Sequence, residues 1–313
     1  MRGFVSKLQI AGLGLAFMCT AGAAPRYIGM VSAEGSFWVD GGGVSGHATV
    51  FEGSTIETTD APAAVQIGSS VRVVLDADSR AQVYADHMLL ERGRGQLDSG
   101  SDYRLEARTM RIMLGSAGSR AVVAAGDSGA LQVASLEGDV HITNADGVRI
   151  ANVEAGNAVG LRLEQRSDTS ILTGCVVQAG NNFLMRDEVS AVTVELRGAE
   201  MAAQAGKRVE VTGKVAISED AAAPADQVVQ AAQIKALATG CSATIRPAGS
   251  GSRARVAPMS RAIGIATGPR GAPRALIAGV RIEPGRAEAA KAITSQGDDK
   301  PHKPHKPPIS PGR

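Results

Sequence analysis

The stretch that decides the fold is FEGSTIETTDAPAAVQIGSSVRVVLDADSRAQVY, residues 51–84. Within it, Val71, Val73 and Leu75 recur at every second position. A period of two is that of a β-strand with one buried face. Similar runs, separated by Gly, Asp or Asn, continue from Ser36 to about Glu164. This pattern, which shows no 3.6-residue apolar period, predicts an all-β sandwich or roll over residues 36–164.

A second unit is predicted over residues 170–241. It reads as strand, turn and strand around Asn181-Asn182, then a strand, a short helical insertion and a further strand. The closing segment fits a strand or a short helix, and a strand is favoured for Gln233 to Leu237. Five short strands with a helical insertion before the fourth indicate a small β-barrel of the OB type.

The composition favours small β-structures over a large aromatic-lined enzyme pocket, since 44% of residues are hydrophobic, only 3% are aromatic and 38 are glycine. The formal net charge is only +2. Residues 242–313, however, hold 13 Lys or Arg against 4 Asp or Glu, and are rich in Pro and Gly. They are predicted to form a disordered basic tail that contacts anionic envelope surfaces through its charge alone.

The N-terminus reads as a signal peptide, residues 1–23. Arg2 and Lys7 precede an uncharged apolar run, and Ala21-Gly22-Ala23 has the small-x-small pattern of a cleavage site. Cleavage is predicted between Ala23 and Ala24. The alternatives are an uncleaved anchor, for which the apolar stretch is short of the ~20 residues of a membrane span, and a lipoprotein modified at Cys19.

The chain has three cysteines, and two of them share the tripeptide Thr-Gly-Cys, ending at Cys175 and Cys241. Export would remove Cys19 and leave an even pair in an oxidising compartment, which predicts a Cys175–Cys241 disulfide. The two tripeptides are expected side by side, on the first and last strands of the barrel. A metal or redox pair is the alternative, but neither a Cys-x-x-Cys spacing nor a neighbouring His supports it.

Other motifs are interpreted as structural. GDSGA at residues 126–130 resembles a serine-protease motif, but Ser128 would need a His base and an orienting Asp, and Asp-Ser-Gly is a common turn. His47, His87 and His141 are isolated bases in the sequence.

Three further motifs have ordinary interpretations. His302 and His305 in PHKPHK suggest a weak metal site or a solvated tail, Asp187-Glu188 suggests turn residues, and GGG at residues 41–43 suggests a hairpin tip. The segment from Ser170 to Cys241 has 6 Lys or Arg against 8 Asp or Glu and one aromatic residue, so nucleic acid is not expected as a partner. No catalytic, metal or cofactor-binding residue is predicted.

The stretch quoted first resembles the core of FecR-type domains, in which a Gly-x-x-Ile-x-Thr opening leads into alternating strands and a later Ser-Arg. LQVASLEGDVHITNADGVRIANVEAGNAV, residues 131–159, is similar to the second half of such domains. The matching residues of the first half are Gly53, Ile56, Thr58, Ala61, Val65, Ile67, Val71, Val73, Leu75, Ser79 and Arg80. The segment 172–241 is similar to small OB-like domains attached to FecR-type proteins of acidobacterial kind.

This resemblance implies an exported, non-enzymatic protein of the periplasm or cell envelope that binds a protein or glycan partner as a sensing or scaffold module. The alternative is a signal-transduction component of the FecR sigma-factor type, anchored by a retained N-terminal segment. The best-known regulators of that type carry a cytoplasmic anti-sigma segment, whereas only Met1 to Lys7 precede the apolar run here.

Overall fold

The computed structural model describes residues 26–99, 102–126, 128–164, 169–199, 201–217, 225–237, 241 and 275–285. Within these residues the chain is nearly all β, as predicted, and its one short helical segment is a 3-10 turn at Met201–Gln204. The predicted signal peptide and its cleavage site at Ala23 and Ala24 lie outside the described residues. In the described part, no helix is long and apolar enough to cross a membrane.

The first domain is a two-layered β-roll of fourteen strands. They are β1 (Tyr27–Val39), β2 (Gly42–Phe51), β3 (Ser54–Thr58), β4 (Ala63–Ile67), β5 (Val71–Leu75), β6 (Arg80–Val83), β7 (His87–Ser99), β8 (Arg104–Ala107), β9 (Met110–Leu114), β10 (Arg120–Ala125), β11 (Ala130–Glu137), β12 (Val140–Asn144), β13 (Arg149–Val153) and β14 (Ala158–Leu163).

Two long strands, β1 and β7, are shared between the layers. Residues 29–33 of β1 pair with β4, and residues 37–39 pair with β3. The first half of β7 pairs with β6 and the second half with β5. The order β1-β3-β6-β7-β5-β4 therefore closes into a six-stranded ring. Its interior is filled by fully buried side chains that include Val31, Phe37, Ile56, Val73, Leu75, Met88 and Leu97.

Beyond β7 the two layers continue separately. One runs through β10, β11 and β14, and the other through β8, β9, β12 and β13.

The predicted turn at Asn144–Gly147 is present, because the Asn144 side-chain oxygen accepts hydrogen bonds from the backbone N–H groups of Asp146 and Val148. The buried side chains of this half include Leu105, Ile112, Leu131, Ile142 and Ile150.

The predicted start of this domain at Ser36 is wrong. Strand β1 begins nine residues earlier, at Tyr27, and its first half carries buried Ile28 and Val31 into the core. The sequence signal was weak because the exposed Met30 interrupts the polar face and two extra residues bulge between Ala33 and Ser36.

The second domain is the predicted OB-type barrel. Its strands are β15 (Thr169–Ala179), β16 (Asn182–Asp187), β17 (Thr193–Arg197), β18 (Arg208–Ala216) and β19 (Gln227–Ala236). They close in the order β15-β16-β17-β19-β18-β15, with β17 and β19 parallel and the 3-10 turn between β17 and β18. The last segment is a strand, as favoured, and it starts six residues before Gln233 because Val228 and Val229 are buried in the barrel.

The prediction of a disordered tail over residues 242–313 is wrong for residues 275–284. These form the hairpin β20 (Ala275–Ile277) and β21 (Val280–Pro284), with a two-residue turn at Ala278 and Gly279, both at positive φ. Strand β21 pairs with β14 of the roll, and β20 pairs with β15 of the barrel. The hairpin, which we call the bridging hairpin, joins the two domains in one continuous sheet.

Apolar side chains and hydrogen bonds hold the bridging hairpin in place. Ala275, Ile277, Val280 and Ile282 are buried. The Glu164 N–H donates to the Gly279 carbonyl at 2.9 Å, and the Ala278 N–H donates to the Ser170 hydroxyl oxygen at 3.0 Å. Arg281 forms an ion pair with Glu164.

We expect Ile282→Ala to lower the free energy of unfolding by about 2–5 kcal/mol, because it removes a fully buried side chain and leaves a cavity in the apolar core. Urea denaturation followed by far-ultraviolet circular dichroism measures the change. Glu283→Ala, on the exposed side of the same strand, is the matched control and should change stability by less than about 0.5 kcal/mol. Equal effects of the two substitutions would show that the hairpin does not pack as described.

Candidate functional site

A cleft between the two domains has a volume of about 420 Å³ and is lined by charged and amide side chains. The roll contributes the end of β13 and the start of β14, and the barrel contributes β15, β16 and the turn after β16. Pro284 of the bridging hairpin closes one side. We call this the interdomain cleft.

A charged pair spans the interdomain cleft. The Arg186 guanidinium of the barrel donates to the Glu154 carboxylate of the roll. Arg186 is paired in the ladder with Cys175, so the strand β15 fixes the position of its backbone. Asn157 is exposed on the opposite wall. The cleft therefore offers both hydrogen-bond donors and acceptors, and none of the described residues that line it is aromatic.

The outer edge of β13 is covered by side chains and backbone of the barrel. The Gln227 amide, which is buried, accepts from the Arg149 N–H at 3.0 Å and donates to the Arg149 carbonyl at 3.2 Å. The Asn152 N–H donates to the Ser190 carbonyl at 2.8 Å, and the Asn152 side chain donates to Asp226. An unpaired strand edge is normally protected from pairing with another chain. These hydrogen bonds cover the outer edge of β13 and orient the barrel against the roll.

Asp187 organises the barrel wall of the cleft. Its carboxylate accepts hydrogen bonds from the N–H groups of Thr173, Val189 and Ser190 and from the Ser190 hydroxyl, at 2.7–3.2 Å. The residue is almost fully buried. Burial raises the pKa of Asp187 above its ordinary value, and the donated hydrogen bonds counter part of that rise. Asp187 thus holds the turn after β16 rather than facing a ligand.

The neighbouring Glu188 points elsewhere. Its carboxylate accepts two hydrogen bonds from Arg208, at 2.7 and 2.6 Å. The adjacent carboxylates therefore have separate structural partners, and of the two only Glu188 lies in the turn, since Asp187 ends β16.

The predicted disulfide between Cys175 and Cys241 is present, with the Cα atoms 5.7 Å apart. The predicted placement of the two cysteines is wrong in one respect. Strands β15 and β19 are not neighbours, because β18 lies between them. Cys241 follows the end of β19, and the disulfide attaches that end to β15 at the margin of the interdomain cleft.

The described residues of the GDSGA motif, which are Gly126, Ser128, Gly129 and Ala130, lie where β10 leads to β11. The Gly129 N–H donates to the Gly126 carbonyl at 3.2 Å, as in a turn. His87 is hydrogen-bonded to Asp86 and stacked on Tyr84, and His141 is hydrogen-bonded to Asn152. His47 is exposed on β2. The three histidines lie on different strands of the roll.

The glycine run at residues 41–43 opens β2, as a hairpin tip should. Asp40 and Gly41 form the turn, both at positive φ, and the Asp40 carboxylate accepts from Ser54 and Thr55. His302 and His305 lie outside the described residues. Across the part of the chain that the structure describes, no group of three or more His, Cys, Asp or Glu side chains is arranged to hold a metal ion.

No family model matches the sequence, and no curated protein is significantly similar to it.

Sequence reasoning missed the interdomain cleft because the bridging hairpin that forms it was assigned to the tail. Two signals could have found the hairpin. The stretch ALIAGVRI, residues 275–282, has apolar residues on both sides of Ala278-Gly279, and this pair suits a tight turn. The role of Gln227 in covering the outer edge of β13 could not be recognised from its residue type.

We expect Asp187→Asn to destabilise the barrel by about 1–3 kcal/mol, because the amide nitrogen must face at least one backbone N–H that the carboxylate accepts. Chemical denaturation measures this. Glu188→Gln is the control, since Glu188 is only paired at the surface, and it should cost less than about 1 kcal/mol. An Asp187→Asn variant with unchanged stability would contradict the assigned hydrogen bonds.

We expect the double variant Cys175→Ala, Cys241→Ala to lose about 2–4 kcal/mol of stability, because a closed loop of this size restricts the unfolded chain. Reducing agent should lower the denaturation midpoint of the native chain and leave that of the double variant unchanged. Thiol titration of the native protein provides the direct check, and free thiols at Cys175 and Cys241 would refute the pairing.

Proposed function

We propose that the chain is an exported, non-enzymatic protein of the periplasm or cell envelope, whose FecR-like roll and OB-like barrel act together as a binding or scaffold module. The observation that carries the proposal is the way the two domains are joined. The bridging hairpin, the covered edge of β13 and the Arg186–Glu154 pair fix one domain against the other. A fixed pair of domains suits a surface that presents one shape to a partner.

The disulfide supports the proposed location outside the cytoplasm. A bond between Cys175 and Cys241 is compatible with an oxidising, extracytoplasmic location. Near Arg186, Glu154 and Asn157 the interdomain cleft combines charged and amide groups, which suits an extended peptide or the polar groups of a glycan. We propose that the partner binds there.

The test begins with the location and first residue of the protein. The full-length chain is expressed and the cells are fractionated, and mass spectrometry of the purified protein reports its N-terminus. We expect envelope material that begins at Ala24. A cytoplasmic protein that retains Met1 would refute the proposal, whereas an envelope protein that retains Met1 would favour the anchored signalling component.

The second step tests the cleft. The immobilised chain is exposed to solubilised envelope proteins and, separately, to isolated peptidoglycan. We expect retention of a partner by the native chain, and loss of that partner with Asn157→Arg, which places a long charged side chain in the cleft. Asn181→Arg, in the exposed turn between β15 and β16, is the matched control and should bind normally. Equal binding by both variants would exclude the cleft as the site.

A further inference from the structure

Strand β2 has a free outer edge. Its inner edge pairs with β1 from Gly42 to Phe51, and no other strand of the described residues pairs with it. Every other strand in the described ranges has partners on both edges, except β13, whose second edge is covered by Gln227 and Ser190. The roll is therefore closed at the barrel end and open at the β2 end.

The free edge lacks two of the usual protections against strand pairing, charged residues and proline. Exposed edges normally carry charged residues or proline. The sequence of β2, GGVSGHATVF, contains no Lys, Arg, Asp, Glu or Pro. At about 3.3 Å per residue it offers a ladder roughly 33 Å long.

Exposed apolar side chains lie beside this edge. Met30 and Trp38 of β1 are 47% and 46% exposed. Gly43 is the ladder partner of Trp38, and a Cβ atom added to Gly43 would lie only 3.7 Å from the indole ring. Because Gly43 has no side chain, the Trp38 ring stays open toward a strand placed beyond β2.

We propose that a second copy of this chain pairs with β2, so that the two rolls join edge to edge about a twofold axis. The inference does not depend on the proposed function. A second copy suits the edge because a twofold axis brings identical residues together, and β2 contains no charged Lys, Arg, Asp or Glu side chain that would repel its own copy.

The burial pattern requires opposed residues of the two copies to share a face, and the bend of β2 at Gly46 then selects the register. Val44, Ala48 and Val50 face the interior, whereas Ser45 and Thr49 are exposed on the other face. Directly opposed residues of antiparallel strands lie on the same face. A twofold axis through Gly46 meets this condition, since it sets Val44 opposite Ala48 of the second copy.

The same register accommodates the bend of β2. Residues on one side of Gly46 lie beside the part of β1 that pairs with β3, and those on the other side lie beside the part that pairs with β4. Gly46 has a φ of 85° at this position. A twofold axis normal to the sheet at Gly46 keeps the buried face inward in both copies, so both layers continue across the axis.

Such a contact is small. Pairing of one strand with its flanking side chains falls among the smaller interfaces, which are typically transient. We therefore expect a dissociation constant on the order of 10–100 μM.

The experiment is sedimentation velocity of the purified chain from about 1 to 500 μM, a range that spans the expected dissociation constant. We expect a monomer–dimer equilibrium. Trp38 is the single tryptophan of the chain, so its fluorescence reports this edge directly. Its quenching by acrylamide should decrease as the dimer forms.

The double variant Ser45→Lys, Thr49→Lys should be monomeric over the whole range, with Trp38 quenching independent of concentration. The matched control is Gln132→Lys, Gln230→Lys, which adds the same charge at exposed positions of β11 and β19, strands paired on both edges. It should dimerise like the native chain. A native chain that stays monomeric, or a dimer that survives the lysines on β2, would overturn the proposal.

Discussion

The arrangement of the whole molecule depends on the ladder β14-β21-β20-β15. Without the bridging hairpin, β14 would be an open edge of the roll, and β15 would have no partner outside the barrel. The four buried side chains of the hairpin belong to the same apolar cluster as the cores of both domains. Burial of an Ile or Val side chain contributes about 1.5–3 kcal/mol, so a ten-residue segment supplies enough free energy to fix two domains together.

Polar groups add hydrogen bonds that hold the two domains together. At the covered edge of β13, Gln227 takes the place of a strand by offering one acceptor and one donor to Arg149. Asp187 satisfies the N–H groups of the turn after β16, and that turn supplies the Ser190 carbonyl to Asn152. The hydrogen bonds of Asp187 and Gln227 thus keep the barrel wall and the β13 wall of the interdomain cleft in place.

The fold class could be predicted from the sequence because alternation at Val71, Val73 and Leu75 is a local property of a half-buried strand. The OB-type barrel could be predicted for a similar reason, since its strands and turns follow one another along the chain. The bridging hairpin was missed because Pro269, Arg270 and Arg274 interrupt the apolar stretch that contains it, so that the segment resembled the tail. Interactions such as that of Gln227 with Arg149 join residues 78 positions apart, and no local pattern reports them. The FecR resemblance stays a prediction, as does the role it implies.

The bridging hairpin follows both domains along the chain, and this order bears on how the protein is made. A polypeptide leaves the ribosome or a translocation pore from its N-terminus, so the roll and the barrel can each assemble while later residues are still emerging. The strands that lock them together are produced last. The finished arrangement is therefore available only to chains synthesised as far as Pro284, and a chain truncated before Ala275 would lack the strands that join the two domains in one sheet.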